Sequence, residues 1–429
     1  MAVKLFPTND IFAIINYMVQ DITGGTNATR VIDTSSFIDA GQTLLDYPVE
    51  NVMNSLMVPI ARTLIAVRPY SGKFNIISAI GSDVFSNRLQ KISFYADESK
   101  PEGAFNTDLY PENLAEGRGN GQEFDDGTAV STKSMWEQHR LTPLQNFFGN
   151  NRNVWSYNIT VDDIAYKNAF RSPDAFNEFV SGMITEHRNT IESGLEAYRR
   201  SVVLNYMAGI YDMNDSGLMP GSVINLTETF NDKYGTEYTT ADLLSTYFDD
   251  LLAHFVETVR TVSRRLENRS SLYHWTPESL DAAGNARRLL RHTSRDNQKM
   301  IVYEPFMISA KASVMPKIFN PEFLSLENYE GVDFWQFEDP TLAPTINVTP
   351  TIPDGEGSQE KGDAVVLPYV LACIFDKDAC MYNAELDRSE TTPLDARRLM
   401  RNIWLHICRS SVNDFTEKGV LIIMKDPET

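Results

Sequence analysis

The sequence predicts an α+β chain built from more than one subdomain. Three observations carry that expectation. The 429 residues exceed the size at which one hydrophobic core stops growing. Several short stretches alternate apolar and polar residues with the period of a strand. Between them, Ser172 to Gly209 repeats apolar residues at steps of three and four, as one face of a helix does. The apolar fraction of 42% is ordinary for a chain that buries a core.

In chain order, residues 1 to about 55 read as an extended or partly helical arm, and "VPIARTLIAVRPY" (Val58 to Tyr70) as a β-prone segment. In "KISFYA", Ile92, Phe94 and Ala96 alternate with Lys91, Ser93 and Tyr95. In "WSYNITV", Trp155, Tyr157, Ile159 and Val161 share one face. The two stretches predict the outgoing and returning strands of a long excursion. Its middle, Ala96 to Ser131, is rich in glycine and almost free of aliphatic residues. From Asp83 to Gly127 the chain carries ten acids against four bases. A compact domain seldom keeps so long a loop without a use; it reads either as a mobile surface loop or as an arm that orders only on a neighbouring subunit.

The helix from Ser172 has a capping residue followed by Pro173 at its first position. Phe176, Val180, Met183, His187, Ile191, Leu195, Tyr198, Val202 and Tyr206 form its stripe, and Gly209 is placed to close it. Thr240 to Leu266 predicts a second amphipathic helix, and Thr276-Pro277 the start of a third. "KMIVYEPFMI" and "AVVLPYVLACIF" read as strands, "PDGEGSQEKGD" as a loop tip, and Val420 to Met424 as a strand that needs cover on both faces.

Composition removes several classes of function. A net charge of -20 repels a nucleic-acid backbone on average. The three cysteines, Cys373, Cys380 and Cys408, are few and irregularly spaced, which predicts packed thiols rather than a disulfide frame or a metal site. "MAVKLFPTNDIFAIINYMVQ" makes a poor signal peptide, and no run reaches the roughly 20 apolar residues of a membrane helix. The expectation is a chain made inside a cell.

Reactive constellations are missing from the sequence. There is no Walker loop and no Gly-x-Ser-x-Gly elbow. "GRGNG" (Gly117 to Gly121) sits in an acidic loop rather than between a strand and a helix. "HFVE" (His254 to Glu257) lacks the second histidine of a metalloprotease helix. His406 and Cys408 share a face, but Ile403, Trp404, Leu405 and Ile407 around them are apolar. The expectation is no catalytic residue, no metal site and no cofactor. One basic cluster stands out, with nine bases and five acids between Glu257 and Lys299. It reads as a solvated helix face or as a docking surface for an acidic partner, such as the acidic loop of another copy.

The order of parts, an arm, a glycine-rich two-stranded excursion, a long single helix, a mixed region and terminal strands, resembles the major capsid proteins of tailed bacteriophages with the HK97-like fold. The stretch "TTPLDARRLMRNIWLHICRSSVNDFTEKGVLIIMKD" is similar to the end of podovirus-type and gut-phage capsid proteins. The matching residues are Pro393, Asp395, Ala396, Arg397, Trp404, Asn413, Asp414, Thr416, Glu417 and Gly419. Lys418 looks like an ordinary variation within it. Caps alone would start a helix at Thr392-Pro393; the resemblance favours a strand from about Met400.

The resemblance implies a structural virion protein in five parts. These are an N-terminal arm (1–66), an excursion called the E-loop with its flanking strands (67–165), a P domain with the spine helix (166–235), an A domain (236–375) and terminal strands (376–429). Its partners would be copies of itself in hexamers and pentamers, with portal, scaffolding or decoration proteins as further contacts. The shell would enclose double-stranded DNA without reading its sequence, form in the host cytoplasm and involve no membrane. Candidate inter-subunit contacts are Asp97, Glu98, Glu102, Glu123, Asp125, Asp126, Trp136, Arg287, Arg288 and Arg291. A portal or tail component, and an acidic glycan hydrolase, are the alternative readings.

Overall fold

The computed structural model describes residues 8–23, 30–45, 72–81, 89–95, 142–148, 152–162, 173–277, 279–280, 286–287, 289–314, 329–354, 359–395 and 397–426. The β-prone segment 58–70 and the middle of the excursion lie outside them. The described residues are mixed α+β, with helices and several sheets, as the sequence predicts. The chain divides into two compact units. One comprises 1–72, 152–197 and 384–409, and the other 73–151, 198–383 and 410–429.

In the first unit the N-terminal stretch is more helical than an arm. Helices Thr8–Thr23 and Thr34–Leu45 bury Ile15, Met18, Val19, Phe37, Ala40 and Leu44. The Asn16 side chain clasps the Val31 backbone, accepting from its N–H at 2.7 Å. Asp33 starts the second helix by accepting from the Ser36 amide at 2.8 Å, and Ser36 holds its carboxyl below the usual range. Strand Arg152–Asp162 alternates as expected, with Val154, Ser156, Asn158 and Thr160 exposed and Val161 buried. It pairs, however, with Met400–Asn413, to which Thr160 donates through Asn402 at 2.7 Å. The strand returning from the excursion is instead Thr142–Phe148, in register from Leu89↔Phe148 to Tyr95↔Thr142. Alternation says that a stretch is a strand but not which strand it joins. Pro143 also hides the true partner, since proline is tolerated only at an edge, and a two-stranded ribbon is all edge. Met400–Asn413 is a strand, as the resemblance favours over the cap signals.

The second unit is organised by a five-stranded mixed sheet. Its order is Val223–Asn225, Gly419–Ile423, Val370–Asp376, Gln298–Tyr303 and Tyr329–Val332. The two outer pairings are parallel and the two inner ones antiparallel. Every residue of Gly419–Ile423 and Val370–Asp376 is buried, so both faces are covered, as the apolar runs predict. Pro368 divides the second predicted run into Val365–Leu367 and Val370–Asp376. In "KMIVYEPFMI" the strand ends at Tyr303 and Glu304 begins a helix to Val314.

Three helix expectations need correction. The long helix runs Pro173–Asp215, 43 residues or roughly 64 Å, six residues past Gly209. Gly209 is there for clearance: a Cβ on it would lie 2.4 Å from the Phe415 ring. The predicted helix from Thr240 is two, Thr240–Ser245 and Phe248–Glu267. Thr239 and Asp242 form a capping box for the first, and Asp249 and Asp250 favour a fresh N-terminus for the second. The third predicted helix is a small hairpin, with Ser279–Leu280 paired to Ala286–Arg287. The sequence Gly284-Asn285 between these strands carries turn chemistry, which outweighs the Thr276-Pro277 start signal.

Candidate functional site: the anchor of the excursion

The paired strands Leu89–Tyr95 and Thr142–Phe148 belong to the second unit, and polar side chains fix the first of them to it. Strand Leu89–Tyr95 turns Lys91 and Ser93 inward and leaves Ile92 51% exposed. This reverses the usual sense of a half-buried strand. The reason is what lies beneath: the turn 414–418, whose Asp414 and Glu417 carboxylates face the strand.

Lys91 Nζ donates to the Asp414 carboxylate and, at 2.6 Å, to Glu417 Oε1. The Asp414 side chain is only 1% exposed and Lys91 is 28% exposed. Asp414 also shapes its own turn, accepting from the Thr416 amide at 3.0 Å and hydroxyl at 2.6 Å. Arg291 comes from the bridge Ser270↔Arg291. It donates to Ser93 Oγ at 2.6 Å and stands 3.7 Å from Glu417 Oε1. Burial opposes charge on both sides of this group. For Lys91 the burial is outweighed by Asp414 and Glu417, so its pKa is raised. For Glu417 burial wins over Lys91 and Arg291, and its carboxyl is pushed up.

The same turn is locked to the rest of the unit. The Trp275 amide donates to Phe415 O at 2.7 Å, and the Gly419 amide to Tyr273 O at 2.8 Å. Phe415 stacks on Tyr206 of the long helix with centroids 5.3 Å apart. Gly419 admits Tyr206, since a Cβ there would lie 2.2 Å from its hydroxyl. Asn413 donates to Val202 O at 3.2 Å. Lys418 is fully buried. Its ammonium donates to Asn268 O at 2.6 Å and Ser270 Oγ at 2.9 Å, with the Tyr273 ring 5.8 Å away. Burial lowers its pKa to about 8. Beside it His274 is buried between two carbonyls, Trp275 O at 3.0 Å and Ser270 O at 3.1 Å, and burial lowers it to about 4.

Of the candidate contacts, Arg291 alone has a described side chain. Within its own subunit it meets Ser93 and Glu417. Arg287 lies in the small hairpin. Arg288, Asp97, Glu98, Glu102, Glu123, Asp125, Asp126 and Trp136 lie outside the described residues. Sequence reasoning missed Lys91, Ser93 and Lys418. The signal available for the first two was the strand's alternation, which put both on one face. The other candidates for chemistry resolve into packing. His254 meets the Thr229 hydroxyl at 3.1 Å, and Glu257 pairs with Lys233. The three cysteines are buried free thiols. Among the described residues no group of His, Cys, Asp and Glu could hold a metal ion, and no helix is long and apolar enough to cross a membrane. The arrangement can position an element; it has no open nucleophile and base.

The carboxylates of Asp414 and Glu417 thus hold the strand Leu89–Tyr95 in place. Residues 23–413 match the family of Phi29-like phage major capsid proteins, and the chain belongs to that family. It is a capsid shell-forming protein. The matched range stops at Asn413, so the turn 414–418 lies beyond it. No curated protein matches. Among solved structures, the chain is similar to the capsid of Staphylococcus phage Andhra at 12% identity and TM-score 0.48, covering 84% of this chain and 86% of that one. The capsid of cyanophage P-SCSP1u aligns at 11% identity and TM-score 0.41, covering 84% and 91%. The mature capsid of bacteriophage PhiM1 aligns at 9% identity and TM-score 0.39, covering 84% and 89%.

Proposed function

We propose that copies of this chain associate as hexamers and pentamers into an icosahedral shell around phage double-stranded DNA, assembled in the host bacterial cytoplasm. The observation that carries the reading is the charged anchor at Lys91, Ser93, Arg291, Asp414 and Glu417. A loop that served only its own subunit would not need its base clamped; one that reaches a neighbour does. Residues 1–66 act as the arm, 67–165 as the E-loop with its flanks, 166–235 and 236–375 as the P and A domains, and 376–429 as the closing strands. The acids Asp97, Glu98, Glu102, Glu123, Asp125 and Asp126, with Trp136, Arg287, Arg288 and Arg291, make contacts between subunits. Portal, scaffolding or decoration proteins engage the same shell. The net charge of -20 suits a container that must not adhere to the DNA inside it. The role needs no catalysis.

Electron microscopy of the overexpressed protein tests this. Uniform shells or curved hexagonal sheets are expected. A closed ring of about a dozen copies would point to a portal, and a monomer that hydrolyses glycans to an enzyme. Deleting Glu98 to Asp126 should leave a folded subunit that fails to assemble; normal shells from the deletion would sink the E-loop assignment.

A further inference from the structure

The second unit carries two exposed features with complementary chemistry. The first is a shallow groove on the outer face of helix Phe248–Glu267, lined by Ala253, Val256, Glu257, Arg260, Thr261 and Arg264. Its floor is apolar at Ala253 and Val256, and one end is basic. Glu257 does not cancel that charge, because Lys233 already pairs with it. Arg264 is exposed and has no carboxylate partner among the described residues.

The second feature is the turn Phe337-Glu338-Asp339. All three residues are exposed, the Phe337 ring 41% so. The turn is rigidly held. The Trp335 amide donates to Ala343 O at 3.0 Å and its indole to Val370 O at 2.9 Å. Gln336 and Asn347 exchange two hydrogen bonds, at 2.8 and 3.1 Å. The Asp339 carboxylate is used inside the turn, accepting from the Thr341 amide and hydroxyl at 2.9 and 2.7 Å. That leaves Phe337 and Glu338 as the outward chemistry: an aromatic ring beside a carboxylate on a pre-ordered loop. A rigid aromatic beside an open charge loses little conformational entropy on docking.

We propose that the Phe337–Asp339 turn of one copy seats in the helix groove of the next copy. Phe337 covers Val256 and Ala253, and the Glu338 carboxylate faces Arg264. The occupant is a second copy because one chain carries both halves of the match, an acidic aromatic knob and a basic apolar groove. A contact that uses different surfaces on its two sides is head-to-tail, and it closes into a ring when the rotation allows. The inference rests on the shell-forming reading and adds one surface that rings would use.

Full-length Arg264→Glu and Glu338→Arg variants, each checked by circular dichroism and thermal melting for an intact subunit, test it by sedimentation and electron microscopy at about 0.15 M salt. Each variant alone should need about tenfold more protein than the parent for half-assembly, because the fault recurs at every contact of a ring. An equimolar mixture of the two should recover six-membered rings and hexagonal sheets, since in an even-numbered alternating ring every contact again joins opposite charges, whereas a five-membered ring keeps at least one mismatched contact. Phe337→Ala should weaken assembly without rescue by either variant. If the parent assembles and both variants assemble like it, or the mixture of folded variants stays apart, the interface is wrong and the shell reading stands. A parent that never assembles overturns both.

Discussion

The base of the excursion and the strand Gly419–Ile423 flank the same turn, yet they are held in opposite ways. The strand has apolar neighbours on both faces, and Val420, Leu421, Ile422 and Ile423 are at most 2% exposed. The excursion's base is held by charge: Lys91 on two carboxylates, Arg291 on Ser93 and Glu417. Apolar burial is strong but indifferent to small shifts in position. A buried charge group is weak as a net source of stability but demanding in geometry, since a misplaced partner leaves a charge unpaired. The strand therefore contributes mainly burial, and the charge group fixes the position of the strand Leu89–Tyr95. The turn 414–418 joins the two, so the strand Leu89–Tyr95 is tied directly to a strand buried on both faces.

The largest effect should come from ending the chain after Thr416. This removes the central pairing for Val223–Asn225 and Val370–Asp376. Five buried apolar side chains, Val420 to Met424, at roughly 1.5–3 kcal/mol each, amount to about as much as a whole domain's stability. The expected outcome is loss of folding, read as insoluble protein or absent cooperative melting. A truncated chain that melts cooperatively would remove the strand from its central place.

A smaller effect, of a different kind, should follow Lys91→Met. It leaves Asp414 without its cation and Glu417 with Arg291 alone, at a cost of about 1–3 kcal/mol, below the fully buried case because Lys91 is partly exposed. The raised pKa of Lys91 means its contribution is complete below the ordinary lysine value of 10.5 and is lost as pH rises through the higher folded value. At the acid end the gap closes as Glu417, already pushed up by burial, takes a proton. The gap in melting temperature between parent and variant should be widest near neutral pH. A gap independent of pH would mean that Lys91 acts through packing alone. If the charge group orients the E-loop as proposed, the variant should also assemble worse than its stability explains.

These two regions were not equally legible in the sequence. Five consecutive apolar residues announce a strand covered on both faces, and the steps of Phe176 to Tyr206 announce the long helix. Both signals are written in residue type and spacing. The partner of "KISFYA" was not legible, because period two is shared by every half-buried strand and Pro143 disguised the one that pairs. Gly209 reads as a helix stop, and only the Phe415 ring above it explains why the helix goes on. Lys418 is the plainest case: nothing about a lysine between Glu417 and Gly419 says that it is buried. Its partners, Asn268 O and Ser270 Oγ, are some 150 residues away in the chain. Hydrophobic pattern is local, whereas the pairing of a buried charge depends on long-range contacts.

Lys418 also offers the finest test of whether the turn belongs with the apolar strand or with the charged base. Below about pH 8 its ammonium is charged in both the folded and the unfolded chain, and folding bears the cost of burying it. Between about pH 8 and 10.5 the folded chain has released the proton and the unfolded chain has not, so the unfolded state binds more protons and stability rises with pH. Lys418→Met has no such window. The stability of the parent minus that of the variant should therefore rise from pH 7.5 to 10, by an amount up to roughly 3 kcal/mol. Denaturant titrations across that range measure it. A difference that stays flat or falls would mean that Asn268, Ser270 and the Tyr273 ring solvate the ammonium as well as water does, and that the turn is charged throughout. A difference that rises places Lys418 on the apolar side, so the change from charge to burial falls between Glu417 and Lys418, within one peptide bond.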